Sequence, residues 1–230
     1  MRKVRLQNLP RPDCIEIEPE TTHVCAIKDD GGSIAPRMAS RLKTKGWQVV
    51  LLRTSSVPPD HNLPTVIVAE GTEGAWSEAL ASVHGNFGPI ETFIDLISHT
   101  SAADDDALLD SGADLQLRES FFIAKHLKSF MATSYARYFA VAQIDGKLGL
   151  GGAAEAHSIV AGGIFGLAKT LRHEWTNTYC RAIDLSPELD NDTATERLID
   201  ELLDPDCNLS EVGVDPHGRY TIISCEADHA

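Results

Sequence analysis

Two adjoining glycines, Gly31 and Gly32, lie where an apolar run from His23 to Lys28 gives way to helical spacing of Ile34, Met38, Ala39 and Leu42. A glycine-rich turn between a strand and a helix is where backbone N–H groups can cradle a pyrophosphate at the helix N-terminus. The loop here, Lys28 to Pro36, has no third glycine at the G-x-G-x-x-G spacing. Asp29 and Asp30 also bring negative charge to the place a phosphate would take. Like charges ~4 Å apart repel by about 1 kcal/mol even in water-like screening. The sequence therefore predicts a degenerate loop at Asp29, Asp30, Gly31 and Gly32 that holds no cofactor.

Other chemistries find less support. His173-Glu174 lacks the second histidine of H-E-x-x-H, and neither a G-x-S-x-G elbow nor a G-x-x-x-x-G-K-[ST] loop occurs. The run Asp104-Asp105-Asp106 reads as a solvated loop or the first turn of a helix, not a metal site. Five cysteines (Cys14, Cys25, Cys180, Cys207, Cys225) are an odd number without a C-x-x-C pair, which points to buried reduced thiols. Acidic residues outnumber basic ones 34 to 20, and the resulting charge of −14 repels nucleic acid and anionic membranes. The short basic run Arg2, Lys3 and Arg5 reads as a loose, tag-like start. No stretch approaches the roughly 20 apolar residues of a membrane helix and no signal-type apolar segment opens the chain, so a cytoplasmic location is expected.

Hydrophobic content of 43% and charged content of 23% over 230 residues fit one folded domain. The pattern alternates: strands at His23–Lys28, Trp47–Leu52, Thr65–Ala69, Ile90–Ser98, Arg137–Ile144 and Tyr179–Leu185, with helices at Ile34–Leu42, Glu73–His84, Leu115–Ala132, Ala153–Trp175 and Thr193–Leu203. Continuous apolar runs such as Val66-Ile67-Val68 are those of strands buried on both faces. This predicts an α/β fold: a Rossmann-like, doubly wound, mostly parallel sheet with helices on both faces. The rhythm breaks at Glu211–Asp215 and Arg219–Ser224, separated by Pro216-His217-Gly218, which predicts short antiparallel edge strands that pair with Val4–Asn8. The expected organisation is a lead over 1–22, a domain over 23–224 and a tail over 225–230.

The stretch Gly163-Ile164-Phe165-Gly166-Leu167-Ala168-Lys169 through Glu174-Trp175, followed by Cys180-Arg181-Ala182-Ile183-Asp184-Leu185, resembles the helix and next strand of short-chain dehydrogenases and reductases. More narrowly it is similar to the ketoreductase region of polyketide and polyunsaturated fatty-acid synthases, and Phe139–Gly146 and Gly218-Arg219-Tyr220 extend the likeness over roughly 23 to 224. Catalytic members carry Tyr-x-x-x-Lys on that helix, nine residues before the glycine that corresponds to Gly166. Counting back places His157 at the tyrosine and Ala161 at the lysine, while Gln143 and Ile144 stand where a serine is usual. The resemblance implies a degenerate site at Gln143, His157 and Ala161, because carbonyl reduction needs a proton donor and a cation to lower its pKa. It further implies the structural half of a two-part ketoreductase whose partner, the catalytic half, binds NADPH and begins its own glycine loop beyond Ala230. The alternatives are a stand-alone reductase that uses His157, or an acidic binding module for an acyl-carrier or neighbouring domain.

Overall fold

The computed structural model describes residues 2–14, 24–29, 31–54, 63–97, 111–132, 136–152 and 157–226. Strand β2 (Val24–Lys28) is buried along its whole length, as a central strand with helices above and below must be. Helix α1 (Ile34–Thr44) turns Ile34, Ala35, Met38, Ala39 and Leu42 onto the sheet. It ends where Gly46 takes φ +86°, a conformation that favours glycine, and the chain reverses into β3 (Gln48–Thr54) and β4 (Thr65–Val68). Helix α2 (Glu73–Phe87) starts at Thr72, whose hydroxyl accepts the Ala75 N–H at 3.3 Å. After it come β5 (Ile90–Leu96), α3 (Ser111–Leu127), β6 (Ala136–Ala142), α4 (His157–Glu174) and β7 (Thr178–Leu185). Helix α5 (Asn191–Leu203), β8 (Glu211–Val214) and β9 (Arg219–Glu226) complete the described chain, whose first element is β1 (Arg2–Leu9).

The nine strands form one sheet in the order β1-β9-β8-β7-β6-β5-β2-β3-β4. Pairing is parallel from β4 through β8 and antiparallel at β8–β9 and β9–β1. The winding reverses between β2 and β5, so their C-terminal ends flank the crevice where doubly wound folds bind ligands. Helices α1 and α5 cover one face over a core built on Met38, Leu51, Ile183 and Leu198. On the other, α2, α3 and α4 cover Trp76, Phe93, Tyr138 and Ile164. The predicted architecture is the observed one.

Several boundaries differ for local reasons. The helix expected over Leu115–Ala132 runs from Ser111 to Leu127, because Ile90 N–H donates to Phe130 O and Ala132 N–H to Ile90 O, which lays 130–132 alongside β5. Helix α5 begins at Asn191, two residues early, since the Asp190 carboxylate accepts the Asp192 and Thr193 N–H groups at 3.0 and 2.9 Å. The basic run at the start is no loose tag: it lies in β1, paired residue for residue from Arg2↔Glu226 to Leu9↔Arg219. The expected tail boundary at 225 accordingly falls inside β9. Cys25 and Cys180 are buried, but Cys14 and Cys207 are exposed, contrary to the reading of all five as interior thiols. The lead segment that carries Cys14 lies over α5, with the Cys14 thiol 3.5 Å from an Asp200 carboxylate oxygen.

Candidate functional site

The loop after β2 is built differently from its sequence reading. Asp29 is buried, and its carboxylate turns inward to the Nε of Arg53 on β3 while it accepts the Gly31 N–H at 3.0 Å. Its charge is cancelled by Arg53, so the repulsion expected of Asp29 is removed. The Gly31 donor that a phosphate would use is itself spent inside the loop. Asp30 lies outside the described residues; Gly31 and Gly32 are both exposed, Gly31 at φ +83°.

Charged side chains also fill the floor of the crevice. Lys28, at the end of β2, sits 3.1 Å from Asp95 on β5 and 3.6 Å from Glu119 on α3, all three buried. Tyr138 of β6 donates its hydroxyl to the other Asp95 oxygen at 3.0 Å. Burial, the largest influence, raises the Glu119 pKa, and its closeness to Asp95 adds to the rise against the pull of Lys28. Burial likewise raises the Tyr138 hydroxyl well above its usual range, with the Asp95 charge adding to it.

The positions expected from the resemblance to form a degenerate site lie around the C-terminal end of β6. Gln143 is half-buried just after the strand, and His157 is the first residue of α4, its side chain outside the described residues. Ala161, one turn on, is 3% exposed and shares an apolar cluster with Ile144. Its methyl group offers neither charge nor donor.

Between β6 and α4 the glycine-rich loop is tied down by two carboxylates that the sequence reading did not single out as site residues. Asp184, at the end of β7, accepts N–H bonds from Ile144 and Leu148, both at 2.8 Å, and from Asp145 at 3.4 Å. Asp145 accepts those of Lys147, Gly149 and Gly151 at 2.7, 2.9 and 2.7 Å. Six backbone donors thus converge on one acid pair. Burial pushes Asp184 up to about 7, and its hydrogen bond and charge contact with Asp145 add to the rise. Burial acts upward on Asp145 as well, but its three N–H donors outweigh that and hold it below the usual carboxylate range. Gly146 is pressed against β8: a Cβ there would stand 2.5 Å from Val214 O, and its φ is +70°.

A second polar cluster lies on the α5 face of the sheet. Arg181 on β7 and Arg219 on β9 both bind Glu201 of α5 and Asp204 beyond it, and all four are buried. Charges of +2 and −2 cancel, and the quartet locks α5 and the hairpin strand to the sheet. No local pattern in the sequence marks these partners, which are up to 38 residues apart (219 − 181). Among the described residues no group of three His, Cys, Asp or Glu side chains is placed to hold a metal ion; Asp104–Asp106 fall outside them.

A short-chain dehydrogenase/reductase from Brucella melitensis superposes with a TM-score of 0.67 at 13% identity, covering 86% of this chain and 95% of that one. A metagenomic short-chain oxidoreductase, solved with NADP, gives 0.65 at 14% identity, with 85% and 97% covered. The fold is that of the short-chain dehydrogenases and reductases. Among curated proteins, a subunit of the polyunsaturated fatty acid synthase of Thraustochytrium sp. is 25% identical over 226 residues, 91% of this chain. The chain spans about 8% of that protein's length. No family model matches. Among the described residues no helix is long and apolar enough to cross a membrane.

Proposed function

We propose that this chain is the non-catalytic, structural half of a two-part, NADPH-dependent β-ketoacyl reductase within a polyunsaturated fatty-acid or polyketide synthase. The observation that carries the reading is the Asp145–Asp184 pair. The loop that would present a catalytic hydroxyl is held by its own chain, and beside it the position of the pKa-lowering lysine is the buried methyl of Ala161. The likeness to the synthase subunit of Thraustochytrium sp. supports the assignment to that class of parent, and the proposed partner is the segment that would bind NADPH and reduce the acyl substrate.

The outer side of α3 supports the supporting role. Leu117 and Phe121, four residues apart on one face of the helix, are 39% and 54% exposed, and Gly163 of α4 lies beside Leu117, leaving an apolar strip. Exposed apolar strips of this kind mark interaction surfaces, and the occupant we assign is the catalytic half. Adding this chain to that half is expected to raise its reductase activity and melting temperature, and Phe121→Glu to abolish the effect. A catalytic half equally active and stable alone would refute the assignment. Micromolar NADPH binding to this chain by calorimetry would favour a stand-alone reductase instead.

A further inference from the structure

On the opposite side of the sheet from α3, the lead segment, α5 and the β8–β9 hairpin enclose a cleft of ≈ 260 Å³. Its walls include Arg11, Arg197 and His217, and its apolar floor is made by Leu9, Pro12 and Val214. Other arginines of this acidic chain sit on carboxylates: Arg37 and Arg41 on Asp192, Arg53 on Asp29, and Arg181 and Arg219, which also lines the cleft, on Glu201. Arg11 and Arg197, by contrast, form no hydrogen bond or ion pair with any described residue.

The charge balance of the cleft favours an anion. Glu201 also lines it, but both its oxygens are taken by Arg219 and Arg181, within the quartet whose charges cancel. Asp200 stands against Cys14, leaving two guanidinium groups without a described partner and an imidazole against one carboxylate. The walls are rigid: Arg219 donates to Pro10 O at 3.3 Å, which fixes the lead, and Asp215 accepts the His217 and Gly218 N–H groups at 2.8 and 2.7 Å, which fixes the hairpin. We infer that this cleft binds a small organic oxyanion, with a phosphate or carboxylate head held by Arg11 and Arg197 and a short apolar stem on Leu9, Pro12 and Val214. Guanidinium forks match such heads in shape and charge. The site is remote from α3 and stands or falls separately from the docking role proposed above.

The test is calorimetric titration of the chain with hexyl phosphate, hexanoate, inorganic phosphate and hexanol. One or both of the hexyl anions bind, and their ranking identifies the head; hexanol does not. Arg11→Gln and Arg197→Gln each weaken binding by about tenfold or more, the loss expected for one charge-assisted hydrogen bond. Both variants keep the wild-type melting temperature, since neither guanidinium holds another described residue. Arg5→Gln, on β1 outside the cleft, leaves the affinity unchanged. Silence with both hexyl anions, equal binding of hexanol, or equal weakening by Arg5→Gln would overturn the inference. Inorganic phosphate binding as tightly as hexyl phosphate would overturn its apolar part.

Discussion

Asp184→Asn probes the acid pair directly. The folded chain holds Asp184 near 7 against an ordinary value of 3.8, about three units, chiefly because the carboxyl is buried. Between those pH values the folded state carries a proton that the unfolded state has lost, so stability falls as pH rises through the window. At about 1.36 kcal/mol per unit, this one group withdraws up to about 4 kcal/mol between pH 4 and 8. Asparagine has no such proton. It keeps an acceptor for the Ile144 N–H but presents an amide NH₂ where Leu148 N–H now donates, at a cost of about 1–3 kcal/mol. The curves of unfolding free energy against pH should therefore cross. The wild type is the more stable near pH 4.5, and the variant equals or overtakes it by pH 8. Asp145, held below its ordinary range, loses its contribution only in stronger acid, outside this window. Urea titrations followed by fluorescence of the buried Trp47, Trp76 and Trp175 give the free energies. Hydrogen exchange at Leu148 and Gly149 reports the loop itself. Parallel curves for the two proteins would refute the argument that Asp184 carries the proton.

Three further substitutions test the buried quartet and the packing of the glycine-rich loop. Arg181→Met leaves Glu201 and Asp204 buried with one cation between them, and should cost about 3–5 kcal/mol. That is roughly 10 °C in melting temperature for a chain of this size, and a loss below about 1 kcal/mol would show that Arg219 alone suffices. Gly146→Ala meets both a positive φ and Val214 O at 2.5 Å, whereas Gly149→Ala meets a positive φ and open space. The first should cost about 2 kcal/mol or more and the second about 1, so equal losses would mean that the contact with β8 is softer than drawn.

The fold was readable because its signal is local. Alternation of apolar runs such as Val49–Leu52 with helical spacing such as Ile34, Met38 and Leu42 fixes element types, and Pro216-His217-Gly218 marks the hairpin. The positions proposed as degenerate rest only on counting from Gly166, since His157 and Ala161 carry no signal alone. The polar interior was not readable. Asp145 and Asp184 are 39 residues apart, Lys28 and Glu119 are 91 apart (119 − 28), and neither pair has a spacing that distinguishes it from solvated charge. Asp29 shows the limit best. As an isolated acid in a glycine loop it reads as a barrier to phosphate, and only the placement of Arg53 on the neighbouring strand turns it into half of a buried ion pair.

The four acids share a feature that bears on function. Asp29 follows β2, Asp95 is near the end of β5, Asp145 follows β6 and Asp184 is near the end of β7. These are the strand ends where doubly wound folds gather ligand-binding and catalytic groups. Each carboxylate here is bound within the chain, Asp29 to Arg53, Asp95 to Lys28 and Tyr138, and the last two to six backbone N–H groups. Burying these acids without such partners would cost several kcal/mol. Together these contacts form a polar girdle along the C-terminal ends of the strands. Rigidity there is what the supporting half proposed above needs if its task is to hold a catalytic one in shape.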